Sequence, residues 1–159
     1  MPLLACGCGF WRRKSPCYNN AMAEKPIYIT EFDLVRLKAL LQEAHYSSYR
    51  KSEYLDKLLH EINRAIVVAP QDIPDDVVTM NSTVSLEDLD TREDELFTLV
   101  FPENADLSQG KLSVFAPIGT ALLGYKVGDI FEWEVPDGKR RLLVKKILYQ
   151  PEASGDYDL

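Results

Sequence analysis

LSVFAPIGTALLGYKVGDIFEWEVPDG, residues Leu112–Gly138, is the stretch whose reading decides the fold. Leu112, Val114 and Ala116 alternate with Ser113 and Phe115, the two-residue period of a half-buried strand. Pro117 suits the first position of a helix, where its φ is already set and its missing N–H has no partner to lose. Ile118, Ala121 and Leu122 share one face of that short helix, and Gly124 is placed to end it with a positive φ. Val127-Gly128-Asp129 turns the chain. Phe131, Trp133 and Val135 then alternate with Glu132 and Glu134 as a second strand, and Pro136-Asp137-Gly138 supplies the next turn.

Downstream, Lys139–Tyr149 reads as a strand whose alternation slips near Val144–Lys146, which predicts a β-bulge or an edge. Upstream, Val77–Leu86 reads as a strand with Val78, Met80, Val84 and Leu86 on one side, and Leu96–Phe101 as another, closed by Pro102. An acidic loop, Glu87–Asp94, and a polar loop, Pro102–Lys111, separate these runs. Strand runs linked by turns predict an antiparallel sheet rather than alternating β and α units.

Two helices are expected before the sheet. Thr30 is a good N-cap, and Glu31 and Asp33 complement the positive end of the helix that follows. Its apolar seam is Leu34, Leu37, Leu41 and Ala44, over about residues 31–44. Ser52 caps a second helix, about 53–66, with the seam Leu55, Leu58, Leu59, Ile62, Ala65 and Ile66. Joined by a short polar link, the two predict an antiparallel hairpin whose arms are only about 20 Å long. Pro70 and Pro74 keep the helix from continuing. The expected class is α+β: an extension over 1–25, a short N-terminal helical hairpin over 26–69, and an antiparallel β-sheet domain with one short helix over 70–159.

The formal net charge of −7 argues against sequence-independent binding to nucleic-acid phosphates. It leaves room for a partner with a basic surface. No run of about 18 apolar residues marks a membrane helix. Cys6, Cys8 and Cys17 all lie in the first 17 residues; the rest has none, which suits a reducing cytoplasm. Their spacing fits no common zinc pattern, and no histidine is near. Leu3-Leu4-Ala5-Cys6 lacks the basic and apolar regions of an export signal. Arg12-Arg13-Lys14 is a short basic cluster in this extension.

The opening stretch resembles the C-terminal domain of the Gre transcription elongation factors, whose pattern is IS-x-x-SP-x-x-x-ALLG-x-x-x-GD…P-x-G. The chain resembles still more closely the short relatives of those factors, the bacterial regulators of nucleoside diphosphate kinase. Two further segments carry that likeness: Asp75-Asp76-Val77-Val78-Thr79-Met80-Asn81-Ser82 and Tyr149-Gln150-Pro151-Glu152-Ala153-Ser154-Gly155-Asp156-Tyr157. The likeness begins near Lys25, and Met22 offers an alternative start. It implies an FKBP-like β domain and a tail in which Tyr149, Pro151 and Tyr157 pack back on the body.

The resemblance also implies a partner. Gre C-terminal domains grip the rim of the RNA polymerase secondary channel through the junction before the short helix, which corresponds here to Ser113, Phe115 and Pro117. Phe115 stands where the cleavage factors have aspartate, and Ala116 where they have serine. Phe115 therefore has two readings, an apolar anchor for the partner or a side chain packed inside. Cleavage factors also carry an acidic pair at a long hairpin tip that holds Mg²⁺ in the polymerase. Here the tip offers Tyr46, Tyr49, Arg50 and Lys51, with no carboxylate. Glu53 and Asp56 share a face nearby and are either a reduced version of that pair or acids complementing the helix dipole.

Little else points to catalysis. His45 and His60 are the only histidines, neither near a nucleophile in sequence, and no Gly-rich phosphate loop is present. The expectation is a cytoplasmic, monomeric, non-enzymatic regulator that docks on RNA polymerase. It needs no cofactor, metal or small-molecule ligand and does not bind nucleic acid sequence-specifically. Alternatives are residual transcript cleavage by Glu53 and Asp56, or an FKBP-like prolyl isomerase whose pocket Phe97, Phe101, Phe131 and Trp133 would line.

Overall fold

Thr30 caps the first helix as its sequence requires: its Oγ1 accepts the Asp33 N–H at 3.1 Å. The computed structural model that shows this describes residues 27–46, 53–135 and 138–157. The extension 1–25, the cap Ser52 and the turn residues Pro136 and Asp137 lie outside them. Helix α1 runs Glu31–Tyr46 and α2 runs Glu53–Asn63. Leu37, Leu41 and Ala44 of α1 and Leu55, Leu58 and Ile62 of α2 are buried in one cluster. The expected seams are therefore the faces that the core uses.

The second helix is shorter than expected. Ile66 and Val67 form strand β2, which pairs in parallel with β1, Tyr28–Ile29. Ile66 is consequently exposed, and the helical seam ends at Ile62 and the half-buried Ala65. This small ribbon ties the start of α1 to the end of α2.

The main sheet holds β3 (Thr83–Asp88), β4 (Asp94–Val100), β5 (Lys111–Ser113), β6 (Ile130–Val135) and β7 (Gly138–Tyr149), in the order β5-β4-β3-β7-β6. Three of its pairings are antiparallel, but β4 and β5 run parallel, with Val100 opposite Ser113. The sheet is mixed, which corrects the antiparallel expectation. The loop between them makes this possible by folding into two short 3₁₀ turns, Pro102–Asn104 and Leu107–Gln109. One of the two register shifts in the β3–β7 pair is where the slipped alternation placed it: Ser85 faces Lys146 and Leu86 faces Val144, leaving Lys145 as the extra residue; the other leaves out Leu148.

The run Val77–Leu86 is not one strand. Val78, Met80, Val84 and Leu86 are all buried, as their alternation implied. Yet β3 begins only at Thr83, because the backbone turns at Asn81, whose φ is +59°. Asparagine tolerates that conformation better than most residues. The segment before the turn pairs with other parts of the chain. Val78 N–H donates to Tyr125 O, Gly124 N–H to Val78 O, and Asn81 N–H to Leu99 O.

The tail is half seated. Tyr149 ends β7 half-buried, and Pro151 is buried at the start of α4, Pro151–Ser154, whereas Tyr157 stays exposed. Gln150 Nε2 donates to the carbonyls of Pro74 and Val77 at 2.9 and 2.7 Å. Thr79 Oγ1 donates to the buried Glu152 carboxylate at 2.7 Å and lies 2.9 Å from Ser82 Oγ. Thr79→Val should therefore cost about 1–3 kcal/mol in urea denaturation, because a buried carboxylate loses its donor.

Asp33, only 6% exposed, sits on the first turn of α1. Burial lifts its pKa from 3.8 to about 6, with the hydrogen bond from Thr30 opposing and the Glu152 charge reinforcing the rise. A raised carboxyl pKa adds stability that is complete below the unfolded value and lost as pH climbs through the folded one. Between about pH 4 and 7 the parent should thus lose, relative to Asp33→Asn, on the order of 3 kcal/mol in denaturation free energy.

Candidate functional site

The junction between β5 and α3, Pro117–Leu122, is built by a close approach of backbones. A Cβ on Gly119 would lie 2.0 Å from the Ser113 carbonyl oxygen, so only glycine lets the helix seat there. Ala116 N–H donates to that same carbonyl at 3.0 Å, and Thr120 Oγ1 donates to Val114 O at 2.8 Å. Val114 is fully buried, and its N–H donates to Val100 O. The expected strand over Leu112–Ala116 therefore stops at Ser113, because Val114 to Ala116 form the turn into the helix.

The three expected docking residues stand together on this turn. Ser113 Oγ accepts the Phe115 N–H at 3.1 Å, which leaves its own hydroxyl hydrogen free to donate. Pro117 is exposed at the first helical position. Phe115 is half-buried and packs against the core cluster, so part of its ring faces inward and part remains accessible. The arrangement offers a fixed surface with one hydroxyl donor and two apolar side chains, suited to recognition rather than bond making.

At the other proposed site, Tyr46 is 89% exposed as the last residue of α1. Tyr49, Arg50 and Lys51 lie outside the described residues. Glu53 and Asp56 are exposed on the first turn of α2. Among the described residues, no three His, Cys, Asp or Glu side chains come together as a metal site. By their 16 and 11 residues, α1 and α2 measure about 24 Å and 17 Å.

Of the four aromatics expected of an isomerase pocket, Phe101 and Phe131 are buried in the core. The Trp133 side chain lies outside the described residues. Phe97 borders a pocket of about 30 Å³ with Ile118 and Leu142, room for a water or two but not for a prolyl peptide.

Comparison with known proteins fixes the lineage. Residues 25–68 match the family model described as Rnk N-terminus, and residues 73–149 match that of transcription elongation factor GreA/GreB, C-term. Over 137 residues, 86% of this chain and 98% of the other, it is 42% identical to the regulator of nucleoside diphosphate kinase of Escherichia coli (strain K12). The chain belongs to the family of regulators of nucleoside diphosphate kinase. This family is related to the Gre factors. Transcription elongation factor GreA of Nautilia profundicola is 33% identical over 132 residues, covering 79% of this chain and 82% of that one. A solved prokaryotic transcription elongation factor GreA/GreB from Nitrosomonas europaea superposes with a TM-score of 0.69 at 40% identity, covering 77% of this chain and 99% of that one. Among the described residues, no helix is long and apolar enough to cross a membrane.

The sequence reading assigned no role to Phe32, Val35 and Ala39. They form a second apolar stripe on α1 at three–four spacing, and all three are exposed. The signal was present in the sequence, but the stronger leucine seam on the opposite side absorbed it. For the junction, Gly119→Ala should destabilise the protein by about 1–3 kcal/mol or more in thermal or urea denaturation, since neither contacting group is a flexible side chain.

Proposed function

We propose that this protein is a transcription regulator that docks on RNA polymerase at the rim of the secondary channel without cleaving the transcript. The observation that carries the reading is the β5–α3 junction. Ser113, Phe115 and Pro117 lie along one turn whose backbone approaches Gly119 too closely for any side chain there, and the resemblance to the Gre factors assigns docking to these positions. Membership of a family related to elongation factors supports the choice of partner. In this reading the two helices form a short antiparallel hairpin at the channel mouth, and residues 70–159 form the docking domain with an FKBP-like arrangement. The protein acts as a cytoplasmic monomer, and its influence on nucleoside diphosphate kinase follows indirectly, through transcription.

Reach argues for occupancy over cleavage. Helices of about 24 and 17 Å do not carry Glu53 and Asp56 deep into a channel. A carboxylate that stops short of a catalytic ion cannot coordinate it.

Purified protein should bind RNA polymerase and compete with a cleavage factor; absence of both would overturn the reading. Phe115→Asp should weaken that binding about tenfold or more, as loss of a central aromatic anchor does. Stronger binding would instead assign the contact to an acid at this position. RNA 3′ ends in halted elongation complexes should stay unchanged when the protein and Mg²⁺ are added.

A further inference from the structure

A second concavity among the described residues lies away from the junction. It is a groove of about 950 Å³ between the start of α1, strand β2 and the tail. None of Ser113, Phe115 or Pro117 lines it. Its apolar wall is the second stripe of α1, with Phe32 56% and Val35 63% exposed, together with the exposed Val67 and Tyr157. Surface apolar residues scattered singly need no explanation, but a contiguous set lining one groove does.

The polar lining has one dominant sign. Glu31, Asp33, Glu152 and Asp156 all border the groove, and Asp33 and Glu152 are each more than nine-tenths buried. The cation beside them, Arg36, is already engaged. Its guanidinium pairs with Glu103 and stacks 4.0 Å from the centroid of Phe101. A groove with an apolar wall and an excess of carboxylates is complementary to a chain segment that mixes apolar and cationic side chains.

We propose that this groove is a second protein-docking surface, which receives a partner's polypeptide segment presenting arginine or lysine among apolar side chains. The apolar side chains lie along Phe32, Val35 and Val67, and the cation reaches the Asp33–Glu152 pair. Asp33 is held by Thr30 of its own cap, has the Glu152 charge from α4 nearby and Arg36 one turn on, so it offers an incoming cation a carboxylate at neutral pH and loses that charge on acidification. Binding is therefore coupled to deprotonation and weakens as pH falls below about 6.

Chemical-shift mapping on the isotopically labelled full chain tests this with synthetic helical peptides. One carries a leucine stripe flanked by arginines, a second the same stripe flanked by glutamates, and a third the arginines with serine in place of leucine. Only the first should saturate, with its shifts centred on Phe32, Val35, Val67 and Tyr157. Phe32→Ser, a surface change that leaves the core intact, should weaken it about tenfold or more. Glu152→Gln should do the same. Several outcomes would overturn the proposal: no saturation by any peptide, equal binding of the serine peptide, shifts centred elsewhere, or indifference to Phe32→Ser. A concentration-dependent dimer in sedimentation with shifts at the same residues would assign the groove to a second copy instead.

Discussion

Residues 77–82 have no strand of their own, yet they are buried or nearly so, and a buried backbone must still satisfy its polar groups. It does so by pairing with three separate parts of the chain. Val78 exchanges hydrogen bonds with Gly124 and Tyr125 at the end of α3. Asn81 and Ser82 pair with Leu99 in β4. The carbonyl of Val77 and the hydroxyl of Thr79 hold the tail through Gln150 and Glu152. The sheet, the short helix and the tail are thus set relative to one another by one irregular segment. Gly124 adds a steric condition: with φ at +82°, a Cβ there would meet Ile27 Cγ1 at 2.8 Å.

This hub was legible in part. The motif Asp75–Ser82 and the tail Tyr149–Tyr157 carry two separate likenesses in the sequence, and in the structure they meet. The alternation over Val77–Leu86 marks the buried side chains correctly but not the cause of their burial. Val78 and Met80 are buried because they face the core across a turn, not because they belong to β3. A two-residue period records which side chains are covered and says nothing about which backbone they pair with. Ile66 failed for a related reason: it continues the helical spacing but pairs with Tyr28 in a ribbon whose other strand lies before α1. The parallel β4–β5 pair was unreadable because connections this short usually return antiparallel.

The junction was the more readable of the two surfaces. Pro117, the small residues of α3 and the stop at Gly124 are all local signals, and local geometry settles them. What the sequence did not disclose is why Gly119 must be glycine, since the carbonyl it faces belongs to the strand before it. The groove was less legible still. An aspartate in a first helical turn reads as a dipole partner, a local signal that does not reveal how deeply it is buried. Its burial comes from packing and its neighbouring charge from Glu152, at the other end of the chain.

That geometry has a practical side. Thr30 and Tyr157, close to the two ends of the described chain, border the same groove. A fusion joined after Leu159, two residues beyond the lining Tyr157, is therefore tethered beside this surface. A capture experiment that relies on such a handle crowds the groove, whereas a label at Glu132, exposed on the edge strand β6, stands outside its lining.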